Sequence, residues 1–201
     1  SLPLRPLPLM PPIVRIFLCM FITSHYKLGK NGKNGEILSP AFTKEEITIT
    51  NFSSNGTAVG KLSDGRVVFV PGTIPGERVL IRYSKSDKRY VQAELIEILS
   101  YSSKRTSSRC RYFGTCAHCR FQHLNYSDQM EAKRNILIEQ LKRIGKMTHP
   151  ESLIQTMIPS DSFYGYRKNM IFSVLPDGKL GLHDVTGGLF VAERCPICDQ
   201  G

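Results

Sequence analysis

The run EITITNFSSNGTAVGKLSDGRVVFVPGTIPGERVLIRYSKSDKRYVQAELIEIL, residues 46–99, decides the fold. It breaks into the apolar-alternating or β-branched segments EITITNF, TAVGKL, RVVFV, ERVLIRYSK and RYVQAELIEIL, divided by SSNG, SDG, PGTIPG and SDK. A period of two turns one side of each segment toward a core and the other toward water, so the pattern predicts five strands in about fifty residues. Ser63-Asp64-Gly65 offers the positive-φ tolerance that a tight hairpin needs, and Pro71-Gly72 and Pro75-Gly76 close the next connection. No long helix interrupts the run. Short strands joined by tight turns lose their exposed edges by closing on themselves, so a small closed β-barrel is expected over residues 44–102.

Upstream, Lys27 to Ser39 reads KLGKNGKNGEILS, a composition too poor in apolar side chains to offset the cost of ordering, and is expected to be a linker. The apolar run from Ile13 to Thr23 is well short of the roughly 20 residues that cross a bilayer. A signal-peptide core is not supported either, because His25-Tyr26-Lys27 follows where small residues would mark a cleavage site. Residues 1–43 are expected to be a disordered or non-native leader and linker. Neither membrane insertion nor export is expected.

Across the 201 residues, 27 lysines and arginines stand against 17 acids, and 27 − 17 gives a formal charge of +10. That excess favours a polyanionic partner. A hydrophobic share of 41% is enough for a packed core. Five of the six cysteines crowd into two short segments, which suits metal ligation better than a disulfide framework and implies a reducing, cytoplasmic setting.

Downstream of the barrel, residues 103–201 predict an α+β region. After the basic stretch YSSKRTSSR comes Cys110-x5-Cys116-x2-Cys119, and Cys195-Pro196 lies far beyond. Two thiols separated by two residues can meet one metal centre from a tight turn, and Gly114 and Ala117 ease the backbone around it. Structural zinc usually takes two closely spaced pairs. Three clustered cysteines with a remote fourth before proline suit an iron–sulfur cubane better. Zinc, with His118 or His123 substituting for a thiol, stays open, and Cys198 is either a bystander or an alternative to Cys195. Ligation would pin the basic loop from Arg105 to Arg120 in one shape. Phe113 and Phe121 beside Arg111 and Arg120 mix rings with cations, which suits either base stacking or shielding of the metal.

A helix is expected from about Ser127, as N-cap, to Lys146, burying Met130, Ile136, Leu137, Leu141 and Ile144 on one side. From Tyr164 strands return, with turns at Pro176-Asp177-Gly178 and Gly187-Gly188. The sequence then stops after a strand and a cysteine motif, as expected of a chain cut inside a larger protein.

Three motifs resemble the iron–sulfur RNA (uracil-5-)-methyltransferases that modify 23S ribosomal RNA and begin with a TRAM domain. They are Gly56-Thr57-Ala58-Val59-Gly60 with SDGRVVFVPGTIPGERV, then CRYFGTCAHCRFQHLNYSDQMEAKRNIL, and last Tyr166-Arg167-Lys168-Asn169 with Glu193-Arg194-Cys195-Pro196. The resemblance runs from about residue 44 to 199. It departs from the family's pattern at Ala117-His118, where two glycines are common, and at Lys168-Asn169, where the order is reversed.

The resemblance implies an OB-like TRAM barrel, a central domain whose Cys110, Cys116, Cys119 and Cys195 hold a 4Fe–4S cluster, and a C-terminal Rossmann-like domain for S-adenosylmethionine that lies beyond these residues. It also implies a monomeric partner of ribosomal or transfer RNA. The nucleophilic cysteine and the base of such enzymes would belong to that third domain. No glycine-rich strand-to-helix turn occurs here, so no catalytic residue is assigned. Lys85, Lys88, Arg89, Arg105, Arg109, Arg111 and Arg120 are candidate phosphate contacts, with Arg167 and Lys168 approaching the target loop. A free-standing, non-catalytic RNA-binding module with a structural metal site is the competing reading. A radical methylthiotransferase fits poorly, because its CxxxCxxC triad precedes the barrel.

Overall fold

In the computed structural model, which describes residues 42–84 and 90–198, five strands close a barrel in the order β1-β2-β3-β5-β4. They are β1 (Phe42–Phe52), β2 (Ala58–Lys61), β3 (Val67–Phe69), β4 (Arg78–Ser84) and β5 (Tyr90–Ser100). Every pairing is antiparallel except β3 with β5. The five expected segments are all present, and β1 begins four residues before the alternating run, because Phe42 to Glu45 pair with β4 from Ser84 back to Ile81. Residues 1–41, which hold most of the expected leader and all of the linker, lie outside the described residues, as do Lys85, Lys88 and Arg89.

Alternation carries Ile47 and Ile49, then Val79, Ile81 and Tyr83, and then Val91 and Ala93 into the interior, where Val68, Val70 and Ile74 complete the packing. Burying a side chain of this kind contributes about 1.5–3 kcal/mol, so the barrel has a core of its own. At the Asp64-Gly65 turn, Gly65 takes φ +86° and its N–H donates to the Leu62 carbonyl at 2.9 Å, as the hairpin reading required.

Helix α1 (Tyr126–Arg143) begins one residue before the expected N-cap and ends three residues before Lys146. Asn125 is its N-cap, without a side-chain capping bond. The early start has a tertiary cause: Tyr126 stacks on Phe163 with centroids 3.8 Å apart, and its hydroxyl accepts the Ser160 N–H. The single buried stripe also needs correction. Leu137 and Ile144 are exposed, the latter at 71%, whereas Ala132 and Ile138 are buried. Two faces are covered instead of one. Ala132 and Ile136 meet the barrel core, and Arg134 and Lys142, on the same face as Ile138, reach across to residues of the segment after His149.

Beyond a 3-10 turn (Pro150–Ser152), a three-stranded antiparallel sheet orders β6 (Ser173–Val174), β7 (Leu180–His183) and β8 (Leu189–Val191) side by side. Its hairpin turns fall at Asp177-Gly178 and Gly187-Gly188, as the sequence predicted. No helix among the described residues is long and apolar enough to cross a membrane.

Candidate metal centre and nucleic-acid face

The cysteine loop leaves the barrel at β5 and is fastened back onto it before α1 begins. Arg105 donates to the fully buried carboxylate of Glu77, Nε to Oε1 at 2.5 Å and Nη2 to Oε2 at 2.8 Å, and also to the Gly72 carbonyl at 2.8 Å. His123 Nε2 lies 3.2 Å from the Thr73 carbonyl, which can only accept, so this nitrogen carries the hydrogen. Phe121 packs edge-on against Phe52 at 5.2 Å and fills the space beside Gly56. A methyl group at Gly56, already at φ +82°, would stand 2.9 Å from the Phe121 ring. Glycine at that position therefore lets the loop seat against the barrel.

From that base the loop folds over a cavity lined by Cys110, Cys116, Cys119 and Cys195 together with Tyr112, Phe113, His118, Leu182 and Arg194. Cys110 and Cys116 are set by tight turns, with Phe113 N–H donating to the Cys110 carbonyl at 3.1 Å and Cys116 N–H to the Tyr112 carbonyl at 2.8 Å. Gln122 braces both ends of the triad. Its Nε2 donates to Cys119 Sγ at 3.2 Å, and its Oε1 accepts from the Ser108 hydroxyl at 2.8 Å and from the Cys110 N–H at 3.3 Å. The sheet holds the opposite side: Ala117 N–H donates to the His183 carbonyl at 3.1 Å and Val185 N–H to the Thr115 carbonyl at 2.9 Å. Cys195 arrives on a separate segment, fixed by Arg167 N–H donating to the Ile197 carbonyl at 2.8 Å and Gly165 N–H to the Pro196 carbonyl at 3.0 Å. Thus the remote cysteine returns to the triad across a separation of 76 positions, with 195 − 119 = 76.

Burial pushes the thiols of Cys116 and Cys119 up, against the opposing hydrogen bonds from the His118 backbone and Gln122. Thiolates here therefore want a cation of their own. The His118 Nε2 is buried without a hydrogen-bond partner, and burial lowers its imidazole, with Arg167 and His183 adding to the effect. An orphaned polar atom and four thiols thus line one cavity. No three His, Cys, Asp or Glu side chains among the described residues are placed to hold a single ion. Four thiolates on one tetrahedral zinc would stand about 3.8 Å apart; a cubane takes one thiolate per iron and needs a wider cage. His123, the other imidazole open to zinc, does not line the cavity but turns to the barrel.

The candidate RNA contacts divide by what already engages them. Arg105 is held in the Glu77 pair, so the structure gives it a clamping task that sequence reading did not foresee. Arg111 makes a 3.4 Å pair with exposed Glu193, worth little in water. Arg109 lies over the Tyr164 ring at 5.0 Å. Arg120 and Lys168 are exposed, and Arg167 is half-buried beside the cavity. Phe121 is taken up by the barrel and Phe113 by the cavity wall and His123, so neither ring is free to stack a base. Among the described residues the exposed aromatic rings are Phe42, Tyr90, Tyr101, Phe163, Tyr166 and Phe172, of which Phe163 is stacked on Tyr126.

Comparison with known proteins bears on the same regions. Residues 41–96 match the TRAM domain family. The chain is homologous to RNA (uracil-5-)-methyltransferases. A 23S rRNA (uracil(1939)-C(5))-methyltransferase RlmD of Xanthomonas campestris is 34% identical over 134 residues, covering 66% of this chain and 30% of that protein. An uncharacterized RNA methyltransferase of Clostridium acetobutylicum is 36% identical over 159 residues, covering 77% of this chain and 34% of that protein. The chain thus spans about a third of the length of these relatives. Among solved structures, the Pyrococcus abyssi tRNA (uracil-54, C5)-methyltransferase in complex with S-adenosyl-L-homocysteine shares the fold, with a TM-score of 0.50 at 22% identity over 77% of this chain and 33% of that one.

Proposed function

We propose that this chain is the RNA-capturing part of an S-adenosylmethionine-dependent RNA (uracil-C5)-methyltransferase acting on 23S rRNA, and that Cys110, Cys116, Cys119 and Cys195 hold a 4Fe–4S cluster. The observation that carries the proposal is the return of Cys195 to the Cys110–Cys119 triad around one cavity, beside a barrel that matches the TRAM family.

When bound, the cluster supplies ligation energy that fixes the loop; no redox step is asked of it. The chain's own residues do the rest. Gln122 orients Cys119 through its amide and Cys110 through its carbonyl oxygen, and His118, with its orphaned Nε2, lines the same cavity. Arg120, Lys168 and Arg111 project from the loop and its neighbours as phosphate contacts. Lys85, Lys88 and Arg89 belong to the same proposal on charge alone. Methyl transfer itself is assigned to no described residue. Five free thiols among the described residues suit a reducing cytoplasm, and the unit is proposed to act as a monomer.

The test is a gel-shift series against single-stranded segments of 23S rRNA, run on the iron-loaded and iron-free chain. Binding that tightens at least severalfold with iron supports a loop shaped by its metal. Equal binding in both states, or none, overturns the proposal.

A further inference from the structure

Four cysteines line the central cavity and leave a fifth, Cys198, outside that lining. The Cys198 N–H donates to the Cys195 carbonyl at 3.2 Å, closing a single turn through Pro196 and Ile197. This turn keeps the two cysteines three residues apart on one fixed backbone segment. Both are partly exposed, whereas Cys116 is buried. The turn is held from outside by the Arg167 and Gly165 N–H groups, donating to the carbonyls of Ile197 and Pro196. The metal is therefore not needed to bring the pair together.

We propose that Cys195 and Cys198 form a reversible disulfide site, with Cys198 the resolving thiol that caps Cys195 whenever the chain is without its cluster. This rests on the reading that Cys195 is a ligand and Cys198 is not. The oxidant is a small-molecule disulfide of the glutathione class. The Cys195 thiolate attacks one of its sulfurs, forming a mixed disulfide and expelling the first thiolate. The Cys198 thiolate then attacks Cys195 Sγ, forming the internal S–S bond and expelling the second. The two thiol protons pass to the two departing thiolates, and two electrons move from the protein to the oxidant. A capped Cys195 is withheld from irreversible oxidation, and a dithiol reductant returns it to ligand duty.

The test uses the whole chain, stripped of iron by chelation without air, exposed to glutathione disulfide, alkylated and cut with trypsin. The peptide beginning at Cys195 is expected to lose two hydrogens and take no alkyl group, and to recover both thiols after dithiothreitol. Two alkylated cysteines, or a lasting glutathione adduct at Cys195, would overturn the proposal. In Cys198→Ser the same treatment should leave the adduct at Cys195, with anaerobic iron content unchanged from the parent chain. Loss of iron in that variant would make Cys198 a ligand and overturn the proposal as well. The cluster reading fails separately, through the iron content of the parent chain, and leaves the disulfide result on the stripped chain to be read by itself.

Discussion

Arg105 and Glu77 meet as a two-point pair across 28 residues, with the carboxylate wholly out of solvent. Glu77 Oε2 also accepts the Ile74 N–H at 2.9 Å, and Arg105 Nη2 also reaches the Gly72 carbonyl. One guanidinium therefore locks the PGTIPGE turn of the barrel to the root of the cysteine loop. The barrel and the cysteine loop are in this way mechanically joined, so a change at either is felt by the other.

Replacing Arg105 leaves a buried carboxylate without its counter-charge. Arg105→Met is expected to cost about 3–5 kcal/mol of unfolding free energy in urea denaturation. A loss within about 0.5 kcal/mol, the scale of an ordinary surface change, would contradict the clamp.

The Gln122 side chain hydrogen-bonds both Cys119 Sγ and the Cys110 backbone N–H. Gln122→Leu removes the N–H···S bond and the loop's brace with little change in volume. Cluster retention under a competing chelator should weaken about tenfold or more, as for other outer-sphere partners of metal ligands. Unchanged retention would show that the brace is dispensable.

His123 sits buried against Thr73, and burial holds its imidazole below the ordinary value near 6.5. The folded chain keeps it neutral, while the unfolded chain protonates it. Its contribution is therefore present above pH 6.5 and is lost as pH falls through that value toward the depressed folded one. Thermal unfolding should show stability falling as pH drops below about 6.5, with His123→Gln flattening that fall. An identical pH profile in the variant would remove His123 from the account.

The five strands were legible because each segment alternates between turns with one possible chemistry: Ile47 and Ile49 face in, Glu46 and Thr48 do not, and Asp64-Gly65 leaves the chain few ways to continue. The helix was legible in place but not in face. Large side chains such as Leu137 and Ile144 outscore Ala132 in a sequence, yet the barrel wall lies close enough to α1 to favour the small one. The cysteine spacing grouped three thiols, and the fold brings Cys195 to the cavity they line. The bonds that hold it from outside, Gln122 to Cys119, His123 to Thr73 and Arg105 to Glu77, join partners whose pairing depends on how the loop turns.

Arg120 and Lys168 are exposed cations on the proposed RNA face. If each contacts one phosphate, Arg120→Ala and Lys168→Ala should each reduce the slope of log affinity against log salt by about 0.7–1 for single-stranded RNA. Binding weakened with the slope intact would point to a contact other than phosphate.

The central claim is that four thiols around one cavity grip a cubane. Metal analysis of the anaerobically purified chain tests it most directly. About four irons per chain, a brown colour and its loss in Cys116→Ser are predicted; a colourless chain carrying one zinc would contradict the account.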